Sequence, residues 1–234
     1  MYKIFSSQRF VQIWVILGFL IVLWQVVLQW MQREELRQGQ PVLVGVGQLL
    51  LLLSMNLYAN KKGRLASLLG LFATISLLAA QGTSDVNANL FTYVFLLFFC
   101  IGIVSLTNYV HLKKATRNDY IVIAVLIVGI FLYLYSKGTI HFPMTTSGVI
   151  QVVNSVGIQL LAYYLLVRGI KRCWQWLLLY YLITLIVNSL AMNEPTFQWT
   201  QSTMITMLLA ILYFVISLKG FVVSRDRSRI KTEQ

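Results

Sequence analysis

Eight apolar stretches succeed one another along the chain, and its basic residues collect in every second connection between them. The stretches cover about 10–30, 42–59, 65–80, 89–110, 120–135, 147–167, 173–191 and 201–223. A bilayer core takes roughly 17–25 apolar residues per helix, so each reads as a membrane span, the third and fifth being short. One set of connections holds Lys3 and Arg9; Lys61, Lys62 and Arg64; Lys113, Lys114 and Arg117; Arg168, Lys171 and Arg172; and Lys219, Arg225, Arg227, Arg229 and Lys231. The other set holds only Arg33, Arg37 and Lys137. Removing or adding one helix mid-chain would scramble this partition. Basic loops stay in the cytoplasm. Both termini are therefore expected there, in a multi-pass protein of the cell (plasma) membrane.

Composition agrees. Only 11% of residues are charged against 58% hydrophobic, and mean hydropathy is +0.74. A soluble domain carries about a quarter charged residues. The net charge of +12 thus reflects basic loops, not nucleic-acid binding. The first apolar stretch comes after Lys3 and Arg9 like a signal peptide, yet it is long and has no small-x-small cleavage site behind it, so it reads as a retained anchor helix. Cys100 and Cys173 sit in or beside apolar runs, without CxxC or a nearby His, which indicates neither a disulfide framework nor a zinc site. Paired carboxylates, HExxH and a Walker loop are all lacking. The chain reads as a non-enzyme with no cofactor and no metal.

An internal repeat is visible. From Val42, a helix ends at the basic turn Asn60-Lys61-Lys62-Gly63-Arg64; a second ends at Gly82-Thr83-Ser84-Asp85, and a third at Lys113-Lys114. From Ser147 the series recurs, through Arg168-Gly169-Ile170-Lys171-Arg172 and Asn193-Glu194-Pro195 to Lys219, at an offset of about 108 that places Arg64 on Arg172. Parallel triplets need an odd linker, and 120–135 is available. The expected fold is all-α: two parallel three-helix repeats, a linker helix and an N-terminal helix. The expected units are 1–41 (N-terminal helix and loop), 42–118 (first bundle), 119–143 (linker), 144–224 (second bundle) and 225–234 (basic tail). Parallel repeats about an axis normal to the membrane are a transporter architecture.

Polar residues inside spans should face protein or a wet path. Gln151, Asn154, Ser155 and Gln159 gather on the sixth span. Trp174, Tyr181, Thr184 and Asn188 form a stripe on the seventh, Gln48 and Asn56 share a face of the second, and Tyr93 lies on the fourth. Such stripes also serve as helix–helix contacts. Long amides beside aromatics can equally hold a planar ring and hydrogen-bond its edge. No Asp, Glu or His lies mid-span, which argues against proton coupling and for passive movement of a neutral or weakly charged solute.

The run 159–176 (QLLAYYLLVRGIKRCWQW), continued by LLLYYLITLIVNSLAMN and a last helix through Lys219-Gly220-Phe221, resembles the PnuC-type vitamin transporters, the nicotinamide riboside transporter family. The resemblance covers roughly 42–224. Trp174 falls on the Trp of that family's Asn-Trp pair, with Cys173 in place of the Asn. Tyr93 falls where the family commonly has Gln. The resemblance implies facilitated diffusion of a nucleoside, deoxynucleoside or B-vitamin precursor, trapped afterwards by a cytoplasmic kinase. Trp174 and Tyr181 are then expected to stack the ring, and Gln48, Gln151, Asn154, Gln159 and Asn188 to read its polar groups, supported by Tyr93 and Thr184. A SWEET-like carrier of another small solute such as a sugar, and a non-transporting membrane subunit, are the rival readings. Homo-oligomerisation is left open.

Overall fold

The computed structural model describes residues 8–31, 41–81, 86–106, 113–140, 144–191 and 201–230. Arg33, Arg37, His111, His141 and the turns at 82–85 and 193–195 lie outside them. Eight helices are present among the described residues: α1 (Gln8–Met31), α2 (Pro41–Ala59), α3 (Gly63–Gln81), α4 (Val86–Ser105), α5 (Arg117–Ser136), α6, α7 (Cys173–Ala191) and α8 (Gln201–Ile230). Helix α6 is composite: α-helical over Thr146–Val152, a π-helix over Val153–Gln159, and α-helical again over Leu160–Val167. Six of the helices are long and apolar enough to cross a membrane, and Asn89–Ser105 of α4 is a shorter apolar helix. The chain is a polytopic all-α membrane protein, as its hydropathy predicts. Helix α8 continues past the expected end of its span to Ile230, so most of the basic tail is helical.

The repeat is written into the backbone. Helix α2 ends with Lys61 at φ 64°, and α6 ends with Gly169 at φ 68°; 169 less 61 is 108. Around Lys61, the Lys62 N–H donates to Leu57 O at 2.9 Å and the Lys61 N–H to Tyr58 O at 2.9 Å. Around Gly169, the Ile170 N–H donates to Leu165 O at 2.8 Å and the Gly169 N–H to Leu166 O at 3.0 Å. Every donor and acceptor is displaced by the same 108. Both ends are left-handed caps that satisfy the terminal carbonyls of a helix. The second half uses glycine for the left-handed residue; the first half uses lysine, at some conformational cost.

Helices α2, α3 and α4 pack in series, as do α6, α7 and α8. The halves meet reciprocally: α8 packs on α2, and α4 packs on α6. At the first seam Lys219 of α8 reaches Asn56, near the C-terminal end of α2. At the second, the Ser105 hydroxyl at the end of α4 donates to Val167 O at the end of α6 (3.3 Å). The C-terminal half of α8 thus meets the C-terminal end of α2, as the end of α4 meets the end of α6, and the two triplets run in the same direction. Beyond α4, Lys113 N–H donates to Gly169 O (3.0 Å) and Lys171 N–H to Lys113 O (3.1 Å), tying two basic loops together.

Helix α5 lies on α6 and exposes Ile121, Val122, Val125, Val128 and Leu132, a face suited to lipid. Its start is fixed by a capping box between Thr116 and Asp119 and by Arg168, whose Nε lies 3.3 Å from Asp119 Oδ1. Helix α1 packs on α2 and α8. The core lies where α4, α6 and α7 meet, around Phe98, Leu160, Leu165 and Leu177, all at most 2% exposed.

Candidate functional site

The π segment decides how α6 presents its polar side chains. An α-helix brings residues four apart onto one stripe, whereas a π turn takes one residue more and rotates the remainder of the helix about its axis. The expected polar stripe runs through Gln151, Ser155 and Gln159 with Asn154 beside it, and these residues are unequally buried. Asn154 is buried at 7% exposure, Gln151 is exposed and Gln159 half-buried. Asn154 points at α7: its Nδ2 donates to Thr184 Oγ1 at 2.9 Å and to Tyr180 O at 3.3 Å. The Thr184 hydroxyl in turn donates to Tyr180 O at 2.8 Å. Two of the expected groups, Asn154 and Thr184, are thus in direct contact across α6 and α7. The other side of the Asn154 amide, Oδ1, is buried and has no hydrogen-bond partner among the described residues.

Next to this lies an aromatic wall. The Tyr181 hydroxyl is 3.1 Å from that of Tyr163 on α6. Its ring stacks on Tyr213 of α8 (centroids 5.5 Å apart, planes at 9°) and meets Tyr180 edge-on at 4.8 Å. Phe95 of α4 closes on Tyr163 at 4.8 Å. Aromatic rings from four helices therefore converge, and the tyrosines among them end in hydroxyls that can turn to suit a partner. Sequence reasoning singles out Tyr181 but misses Tyr163, Tyr180 and Tyr213. The available signal is a tyrosine deep in a span, away from the interface where Tyr is common.

Trp174 stands at the basic end of α7, in its first turn, 3% exposed. Its indole lies flat on Gly220 of α8, where any Cβ would overlap the ring. One face of the indole is thereby spent on holding α8 to α7. On the other bundle Gln48 of α2 is half-buried, with Oε1 shielded and unpartnered among the described residues. Tyr93 of α4 and Asn188 of α7 are half-buried, and neither makes a hydrogen bond to the Asn154 cluster among the described residues.

Lys219 departs from the expectation. The sequence reading counts it among the loop cations, yet it is inside α8 at 4% exposure, with Nζ 3.1 Å from Asn56 Oδ1. The misplacement arises because a lysine near the end of an apolar stretch reads as a loop cation, although residue 219 falls within the 201–223 stretch.

This arrangement has a known counterpart. The crystal structure of the vitamin B3 transporter PnuC aligns with it at a TM-score of 0.59, over 94% of this chain and 92% of that one, with 14% sequence identity. The fold is that of PnuC. No family model matches the sequence, and no curated protein matches it either.

Proposed function

We propose that the chain is a membrane transporter that lets a small planar-ring solute diffuse down its gradient by alternating access. A nucleoside, a deoxynucleoside or a B-vitamin precursor such as nicotinamide riboside is the solute class. The observation that carries this reading is a pair of amide oxygens. Gln48 Oε1 and Asn154 Oδ1 are both buried and both without a partner among the described residues, and they lie on α2 and α6, the first helices of the two bundles. A buried polar atom without a hydrogen bond costs free energy, and more so where no water competes. Two such atoms on equivalent helices make sense as acceptors kept for a ligand.

The tyrosines of α6, α7 and α8 supply a flat apolar wall beside Asn154, and Thr184 fixes the rotamer of that amide. Rocking of the two parallel bundles about the α2–α8 and α4–α6 seams would open the site to either side in turn. Both termini are cytoplasmic in this reading, the membrane is the plasma membrane, and a cytoplasmic kinase keeps the gradient by phosphorylating the solute. The solved PnuC structure, a vitamin B3 transporter with this fold, supports the same class.

Purified protein in liposomes is expected to exchange labelled nucleosides or pyridine vitamins without a proton or sodium gradient. Strict dependence on either gradient removes this mechanism. Gln48→Leu separates a ligand acceptor from a structural one. Removing an acceptor that has no protein partner leaves thermal stability equal or higher, while solute affinity falls about tenfold, the worth of one hydrogen bond in a dry site. A variant that loses stability and keeps its affinity refutes the assignment.

A further inference from the structure

Two charged side chains are buried among the described residues, Asp119 and Lys219. Asp119 has its counter-ion in Arg168. Lys219 has none among the described residues: its single hydrogen bond there goes to the neutral amide of Asn56. An ammonium has three donors, so one acceptor leaves it poorly compensated. A lysine this near the end of a span would ordinarily run its flexible stem out to the water. This one turns inward, across the seam between the bundles.

Its position is informative. Asn56 and Gln48 share one broad face of α2, eight residues apart, or about 12 Å along the axis. Leu52 lies between them, buried at 1% exposure. The unpartnered amide oxygen and the under-compensated ammonium are thus two stations beside the same seam. A buried charge is tolerated where a counter-charge arrives to meet it, and charge-assisted hydrogen bonds are about twice as strong as neutral ones. Asn56 can accept from the ammonium when the seam is closed and give way when it opens.

We propose that Lys219, held in waiting by Asn56, binds an anionic group of the transported solute, a carboxylate, which narrows the solute class proposed above to the planar-ring acids among B-vitamin precursors and away from neutral nucleosides and cationic rings such as nicotinamide riboside. The inference rests on the transporter reading for the identity of the ligand, but the site can be tested by binding alone. Pyridine-3-carboxylate and pyridine-3-carboxamide are near-isosteric planar probes differing by one charge. Wild-type protein in detergent is expected to bind the carboxylate at least about tenfold more tightly. Lys219→Gln should abolish that preference and leave carboxamide affinity within about twofold. Asn56→Asp keeps the lysine but gives it an internal counter-charge. It should raise the melting temperature and also abolish the preference, which keeps the test sharp if Lys219→Gln folds poorly.

Absence of a preference in wild-type protein, or its survival in either variant, overturns the anion site. Counterflow in liposomes is read separately. A preference that disappears in Lys219→Gln without any flux leaves the anion site standing and removes the transporter reading; flux without the preference does the reverse. Phosphatidylglycerol titrated into phosphatidylcholine nanodiscs tests the other source of such a group. If that lipid stabilises wild-type but not Lys219→Gln, and the pyridine pair is not discriminated, the occupant is a headgroup and the solute assignment falls.

Discussion

The seams between the bundles are related by the repeat, yet they are built from different materials. At α4–α6 the contacts are neutral and aromatic: Ser105 on Val167 O, Phe95 on Tyr163, and Phe98 on Tyr164 at 5.8 Å. Its basic end is further tied by the Lys113 backbone to Gly169 and Lys171. At α2–α8 a buried cation meets a single amide, and α1 covers the outside. Neutral packing tolerates sliding with little change in energy. A buried charge does not, because parting it from Asn56, its acceptor among the described residues, must be repaid by water or by a ligand. In the proposed rocking motion, α4–α6 would serve as the pivot and α2–α8 as the side that responds to a bound solute.

Substitutions can break this contrast. The largest effect is expected from Asn56→Leu, which leaves the ammonium buried with no acceptor. A loss of about 3 kcal/mol should register as a clear drop in the melting temperature in detergent. A melting temperature indistinguishable from that of wild type would mean that Lys219 reaches water, and the two seams would then be alike. Second comes Gly220→Val, which forces a side chain into the Trp174 indole, at about 1–3 kcal/mol. Because Trp174 is the obstacle, the penalty should shrink sharply in a Trp174→Ala background, and a double-mutant cycle measures that coupling. Full additivity would show that α8 is not seated through this contact, and that the seam's behaviour cannot be ascribed to a rigid second bundle. The smallest effect belongs to Ser105→Ala at the neutral seam, about 0.5–1 kcal/mol for one exchanged hydrogen bond. A loss matching that of Asn56→Leu would erase the distinction between pivot and responsive side.

Much of the architecture is legible in the sequence, and the reason is physical. Lipid allows few solutions to the problem of the backbone polar groups, so an apolar run of sufficient length becomes a helix. Loop charge then orders the helices, which is why spans such as 173–191 agree with α7 to the residue. The 108-residue offset read from hydropathy and charge reappears in the hydrogen bonds of the Lys61 and Gly169 caps. Local detail at the site is harder to see. Nothing in the residues 153–159 announces a π turn, since neither proline nor a charge marks it, and so the sequence pattern leaves Asn154 merely beside the Gln151, Ser155 and Gln159 stripe, whereas the structure buries it against Thr184 of α7. Lys219 is misplaced for a similar reason. Hydropathy does not show which way a long side chain near the end of a span turns. The tyrosine wall is hidden from the sequence because stacking across α6, α7 and α8 depends on helix rotation, which composition does not encode.

The π turn in α6 has a consequence for what a duplicated protein is able to distinguish. Two identical halves facing one another offer every molecule two equivalent orientations. Inserting one residue's worth of rotation into α6, while α2 stays α-helical throughout, makes the two walls unlike. In the proposed transporter, a solute with dissimilar ends would then have one way round that fits better than the other, and a scaffold born of symmetry would acquire a sense of head and tail.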